Sequence, residues 1–300
     1  MNKQLADFIL LSIAFIWGAT FVIVQKGITQ LDPLLFNTVR FFVAGLSLLC
    51  LIPFMNRSIQ WTRKTILHGA VLGVFLSLGY GLQTIGLLYT SPSRAGFITG
   101  LSVVMVPLFS FILIKKAPQP LAIFGSLLAA VGLYFLSFGD AKPFNIGDVY
   151  VLFCAFGFTL HIIYTDCFAR QSPAFELAVS QLFTVSLLSL VGALLLEDVS
   201  QILDRSIMFH RDVLIALFVT SLFATSFPFF AQTYVQKYTT PARVALIYTM
   251  EPVFAAIVAY FWIDERLSMI ATIGCLFIFI GMVSSELPSS IVRNMLKGTK

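Results

Sequence analysis

Ten stretches of predominantly apolar residues follow one another along this 300-residue chain, at roughly 6–25, 33–54, 66–88, 93–114, 120–138, 146–166, 173–196, 211–236, 240–262 and 267–286. Each holds about the 20 residues that a helix needs to cross a hydrocarbon core of about 30 Å. Inside lipid the backbone must satisfy its own polar groups, so runs of this length imply helices. With 58% hydrophobic and only 11% charged residues, the chain cannot build the surface of a soluble domain, which carries about 25% charge. The connections are too short for an extramembrane domain. The first stretch runs into Lys26 and Asp32-Pro33 with no small-residue cleavage site, so it is expected to be a retained helix rather than a leader. The fold class expected is an all-α membrane protein with ten transmembrane helices.

The net charge of +5 is spread thinly, and no basic run offers a nucleic-acid surface. It does alternate between loops. Lys3, Arg57, Arg63, Lys64, Lys115, Lys116, Arg170, Lys237, Arg243, Arg293, Lys297 and Lys300 share one side, and Lys26, Arg94, Lys142, Arg205, Arg211 and Arg266 the other. The positive-inside rule then puts both termini in the cytoplasm of a cell whose plasma membrane the chain spans. Cys50, Cys154, Cys167 and Cys275 lie in or beside apolar stretches without CxxC spacing, and read as small hydrophobes rather than a disulfide or metal framework. Neither a cofactor nor a metal is expected.

The chain also repeats itself. A shift of 149 residues lays Gln83-Thr84 on Gln232-Thr233, Tyr89-Thr90 on Tyr238-Thr239, Pro92 on Pro241, Arg94 on Arg243, Gly125 on Gly274 and Gly132 on Gly281. Earlier in each half the shift is about 140, with Pro33 on Pro173. Five spans per copy force the second copy through the membrane upside down. Lys115-Lys116 aligning with Asp264-Glu265 agrees with that inversion. Two inverted halves, 6–138 and 146–286, followed by a cytoplasmic tail at 287–300, imply a pseudo-two-fold axis in the membrane plane with a site near its middle. That is the architecture of alternating-access transporters.

The segments FIWGATFVIVQKGI, FNTVRFF, YTSPSRAGFITG and YTTPARVALIYTMEPVFAAIVAYFWIDE, with the glycine-spaced closing helix of each half, resemble the EamA-type, ten-helix members of the drug/metabolite transporter superfamily. The resemblance covers essentially the whole chain. It implies a central cavity surrounded by the first four helices of each half, the fifth packing outside, and movement of small metabolites, often amino acids. The first copy departs from the family by ending in Lys115-Lys116-Ala117-Pro118 where a Gly-Glu-Arg-like turn is usual.

Polar residues inside the spans are the candidates for function, because each needs a partner or water. Glu251 lies mid-span before Pro252, where a kink frees backbone and a carboxyl can hold a proton or a substrate amine, or simply bond across the kink. Pro107, four residues out of register, predicts a second kink at a slightly different depth. Arg40 either snorkels, pairs with an acid such as Glu251, or clamps an anionic group. Gln83 and Gln232 are symmetry partners suited to a midplane site or to helix-helix bonding. Ser77 on Ser226 and Tyr80 on Phe229 follow the same register. Trp17 and Phe21 share one helix face, and His161 and Tyr164 another. Together with Tyr248, these complete the candidate substrate wall. Arg94 and Arg243 begin the fourth span of each half, against the helix dipole, and act either as gate contacts or as interfacial anchors. Trp61 and Trp262 read as interfacial anchors.

The function expected is export of small metabolites, amino acids or related compounds, by alternating access, with proton coupling through Glu251. A lipid or headgroup flippase and multidrug efflux are the alternatives on the same scaffold. The three histidines, His68, His161 and His210, sit on separate segments, and no nucleophile-base or paired-acid pattern occurs mid-span, so an enzyme is not expected.

Overall fold

The structure, a computed structural model, describes residues 1–54, 59–90, 92–115, 120–137, 145–263 and 268–286. The expected tail at 287–300 and the Asp264-Glu265 pair lie outside them, as do Lys116 and the side chains of Arg94 and Trp262. Among the described residues there are fourteen α-helices and no strand: α1 (Lys3–Ile28), α2 (Pro33–Leu49), α3 (Arg63–Gly86), α4 (Pro92–Gly100), α5 (Ser102–Ile114), α6 (Pro120–Ser137), α7 (Ile146–Phe168), α8 (Ala174–Leu196), α9 (Arg205–Met208), α10 (Arg211–Ser221), α11 (Phe227–Gln236), α12 (Pro241–Tyr248), α13 (Met250–Ile263) and α14 (Met269–Glu286). Seven helical segments are long and apolar enough to cross a membrane, and two shorter apolar helices cover 120–135 and 269–284. Many large apolar side chains point outward, Phe8, Phe111, Phe153, Leu195 and Phe218 among them. Their contact with lipid explains why no polar face was needed there.

Three predicted spans are interrupted. The fourth breaks at Leu101 between α4 and α5, and the ninth at Thr249 between α12 and α13. The shift of 149 carries Leu101 onto Met250, so the two breaks fall one residue apart in the repeat. This corrects the expected offset kinks. α5 runs through Pro107 without ending, and Pro252 stands in the first turn of α13, where a missing N–H costs nothing. Glu251 is therefore an acid in the first turn of a half-helix, where the dipole favours it.

The third interruption is a wide turn at Leu222–Ser226 joining α10 to α11, closed by a bond from the Phe227 N–H to the Leu222 carbonyl, five residues back. Pro228 is the local cause. It has no N–H to offer the carbonyl of Ala224 four residues earlier, and its ring crowds that turn. The released carbonyl takes a distant donor: Trp17 Nε1 on α1 donates to Ala224 O at 2.8 Å. In the same turn Thr225 Oγ1 accepts from Arg40 Nε at 2.7 Å, and Ser226 bonds Ser47 at 2.7 Å. One proline thus ties α1 and α2 to the α10–α11 rod. Trp17→Phe keeps the ring but leaves the Ala224 carbonyl unpaired, with an expected loss of about 1–3 kcal/mol. Thermal melting in detergent checks it, and Trp17→Phe melting like the parent would remove this role.

Glycines set the closest approaches. A Cβ at Gly125 would strike the Gly281 carbonyl, and one at Gly132 would lie 2.6 Å from the Gly274 carbonyl, so α6 and α14 pack backbone to backbone. A Cβ at Gly18 of α1 would strike the carbonyl of Glu251 and come within 2.9 Å of the Ala255 amide, which fixes α1 against α13. At the end of α5, Lys115 takes a left-handed conformation, φ 53°. This is the position where glycine usually ends a helix, and it gives physical content to the first copy's departure from the family turn. Lys115→Gly is expected to stabilise by about 1 kcal/mol, since the left-handed region penalises a Cβ.

Loops contribute one long-range cap. Asp32 makes no side-chain cap at the start of α2. Glu197, just beyond α8, instead accepts from the Leu34 and Leu35 amides, both at 2.9 Å. Burial raises the Glu197 carboxyl above its ordinary range, and those two amides act in the opposite direction. Gln201 bonds Asp32 beside it at 2.8 Å.

Candidate functional site

The interrupted rods border a partly open central cavity. Trp17, Tyr80, Gln83, His161, Gln232, Tyr248 and Glu251 all line it, together with Phe158 and Phe229. A smaller recess shares Trp17, Tyr80, Gln83 and Glu251. It runs along α1 past Thr20, Phe21 and Val24 and includes Arg40. The walls are aromatic: Trp17 meets Tyr248 at a centroid distance of 4.9 Å, Tyr80 meets Phe158 at 5.1 Å, and Phe229 lies 5.8 Å from both Tyr80 and His161.

The polar side chains divide into those already satisfied and those left open. Thr233 Oγ1 donates to the Phe229 carbonyl at 2.6 Å, so it must accept from Gln181 Nε2 at 3.1 Å. That orientation turns Gln181 Oε1 to His161 Nε2 at 2.8 Å, so Nε2 carries the ring proton and Nδ1 is the acceptor of the neutral imidazole. His161 is therefore both a bonded core residue and part of the wall. Gln83 Nε2 donates to Thr99 at 3.2 Å. Gln236 Nε2 donates to the Ile162 carbonyl, which leaves its Oε1 to accept from Gln232 Nε2 at 3.3 Å. Gln232 Oε1 and Tyr248 Oη are buried with no partner among the described residues, and an unpaired buried polar atom costs about 1–3 kcal/mol. Glu251 has no hydrogen bond or ion pair among the described residues.

Arg40 is buried, 3% exposed, and does not pair with Glu251. Its Nε is held by Thr225, and its guanidinium carbon lies 4.8 Å from the Tyr80 ring centre and 5.4 Å from that of Phe41. Aromatic faces thus take the place of the carboxylate that the sequence suggested, and snorkelling is excluded by the burial. Tyr164 does not reach the cavity. It stacks between Phe75 at 5.2 Å and Phe168 at 5.8 Å, because three residues after His161 the helix face has already turned outward. Ser77 is likewise absent from the lining, whereas Ser102, the repeat mate of Glu251, borders it.

Arg243 lies away from the cavity, where α12 meets the start of α1. Its Nε and Nη2 bond the two Asp7 oxygens at 2.7 and 2.5 Å, a two-pronged pair whose side chains are 7% and 15% exposed. Leu10, Ile13, Ile162, Val235, Val244 and Ile247 form a buried apolar cluster, of which Ile162 also borders the cavity. Sequence reasoning paired the two arginines through the repeat and left the acid unnamed. The signal was present: a shift of 141 lays Asp7 on Asp148 at the start of each half. Asp148 itself is fully buried, accepting from Thr90 at 2.9 Å and from the Asn145 amide at 2.8 Å.

A family model for the EamA-like transporter family matches twice, over residues 4–138 and 145–285. The chain belongs to the EamA-like transporter family. Among its relatives, a protein named an uncharacterized transporter in Archaeoglobus fulgidus is 35% identical, the match covering 94% of this chain and 86% of that protein. YoaV of Bacillus subtilis, also named a transporter, is 20% identical over 91% of this chain and 94% of its own length. An S-adenosylmethionine/S-adenosylhomocysteine transporter of Chlamydia muridarum is 28% identical over 47% of this chain and 45% of its own. A crystal structure at 18% identity superposes with a TM-score of 0.78, covering 94% of this chain and 98% of that one, which establishes the shared fold. This member of the EamA family is thus an integral membrane protein of transporter type, and its relatives' names point to transport rather than catalysis.

Proposed function

We propose that this EamA protein exports small metabolites, amino acids or related compounds, across the plasma membrane by alternating access around the central cavity. The observation that carries this reading is that both halves contribute repeat-related residues, Gln83 and Gln232, to one chamber. Ten crossings as two inverted five-helix halves account for the glycine contacts. Gly125 meets Gly281 and Gly132 meets Gly274, while the repeat pairs Gly125 with Gly274 and Gly132 with Gly281. Such crossed contacts are what a two-fold axis generates.

In this reading Trp17, Phe21, Tyr80, Gln83, His161, Gln232 and Tyr248 form the substrate wall, Glu251 carries a coupling proton, and Arg40 holds an anionic group in the recess. Asp7 and Arg243 latch the side that bears the N-terminus, and Arg94 is assigned the matching role on the other. The Chlamydia relative's named substrates contain an amino-acid moiety, which supports solutes of that chemistry. The decisive experiment is flux from proteoliposomes loaded with amino acids, sugars and cationic drugs, with and without a pH gradient. Solute movement supports the reading. Altered lipid asymmetry without solute flux would replace it with a flippase.

Both termini are placed in the cytoplasm by the same proposal. Reporter fusions should give cytoplasmic signals at each end, and an external C-terminus would remove the ten-crossing arrangement.

A further inference from the structure

Three side chains of the cavity offer acceptor oxygens without a partner among the described residues. Gln232 cannot turn its amide round, because Gln236, fixed by the Ile162 carbonyl, offers it only an acceptor. Its Oε1 is therefore left as an acceptor by the hydrogen-bond network rather than by choice of rotamer. Tyr248 Oη is unpartnered and can accept, and the Glu251 carboxyl has no protein partner among the described residues. Two donors of the chamber are meanwhile committed inward, the His161 Nε2–H to Gln181 and the Trp17 Nε1–H to Ala224. Around these acceptors stand the faces and edges of Trp17 and Phe229, whose quadrupoles attract a cation.

We propose that the cavity recognises a protonated primary amine, which donates its three hydrogens to Gln232 Oε1, Tyr248 Oη and the Glu251 carboxyl. This rests on the cavity being the transport site and names the class of solute it takes. An organic anion would leave the acceptors facing other acceptors, and a sugar, whose hydroxyls can donate, would bring no charge to match the carboxyl. An ammonium group supplies three donors and a charge, and the carboxyl at the N-terminal turn of α13 neutralises that charge. The carrier of the amine is either a zwitterionic amino acid or its decarboxylated counterpart. Arg40 in the adjoining recess is positioned to favour the former, since its charge has no acid partner among the described residues.

The test is binding, measured by thermal shift and by calorimetry on the full chain in detergent. The ligands are matched triplets over aromatic, aliphatic and polar side chains: the amino acid, its decarboxylated amine and its N-acetyl derivative, with a sugar panel alongside. At least one free amine should raise the melting temperature, and its N-acetyl partner should bind at least tenfold more weakly. An amino acid binding more tightly than its amine identifies the zwitterion as the ligand, and equal binding identifies the amine alone. Gln232→Leu and Glu251→Gln should each weaken the amine at least tenfold while melting as cooperatively as the parent. An N-acetyl compound or a sugar binding as well as any free amine, or no amine binding at all, overturns the proposal. Because no flux is required, an amine that binds without being transported would count against the transport reading and leave this assignment standing.

Discussion

Across a one-unit pH gradient, a carrier that exchanges one proton for each substrate can sustain about a tenfold concentration difference, and Glu251→Gln is expected to reduce that to none. Glutamine keeps the shape of the acid and its place in the first turn of α13, so the fold and the aromatic chamber should survive. Substrate exchange between two equal pools should continue once substrate is raised to offset the weaker binding of the amine, because exchange requires access to alternate but no proton to cross. Glu251 is suited to the role because it borders both the chamber and the Arg40 recess and has no ion pair among the described residues. Its repeat mate, Ser102, cannot ionise, so coupling is carried by one half alone. A Glu251→Gln protein that still concentrates its substrate against a gradient like the parent would make Glu251 a structural acid and end the coupling idea.

Breaking the Asp7–Arg243 pair should have the second large effect. Removing one partner of a buried pair typically costs about 3–5 kcal/mol. Both side chains here keep slight exposure, so the lower end, about 3 kcal/mol, is expected for Asp7→Asn. The loss should fall on the arrangement that is closed at the N-terminal side. Asp7→Asn should therefore lower the melting temperature and also expose residues of the Leu10–Val244 cluster to labelling from that side. Exchanging the charges, Asp7→Arg with Arg243→Asp, should recover much of both. If the single variants melt and label like the parent, the pair is an interfacial anchor and not a latch.

Much of the architecture was legible because lipid imposes a simple rule: apolar runs of sufficient length become helices, and the sequence has them. The chamber was legible through the repeat, which singled out Gln83 and Gln232, and through the cost of Glu251 and Arg40 in an apolar span. The failures have physical reasons. Tyr164 shares a helical face with His161 only approximately, and three residues of rotation put it against Phe75 rather than the cavity. For Arg40 the sequence left snorkelling, an acid partner and an anionic ligand open, and the structure supplies two aromatic faces and the Thr225 hydroxyl instead of an acid. No periodicity announces the turn at Leu222–Ser226, although Pro228 was its cue. Long-range partners such as Glu197 on α2, or Asp7 on Arg243, depend on which helix ends meet in space, and spacing along the chain does not encode that.

The central claim, one chamber reached in turn from both sides of the membrane, can be tested without knowing the substrate. A single cysteine at Gln232, in a background with Cys50, Cys154, Cys167 and Cys275 replaced, would be exposed to a membrane-impermeant thiol reagent in right-side-out and inside-out vesicles. The account predicts modification from both faces. It further predicts that cross-linking cysteines at Asp7 and Arg243 suppresses modification from the N-terminal face alone. Modification from one face only, or from neither, would contradict it.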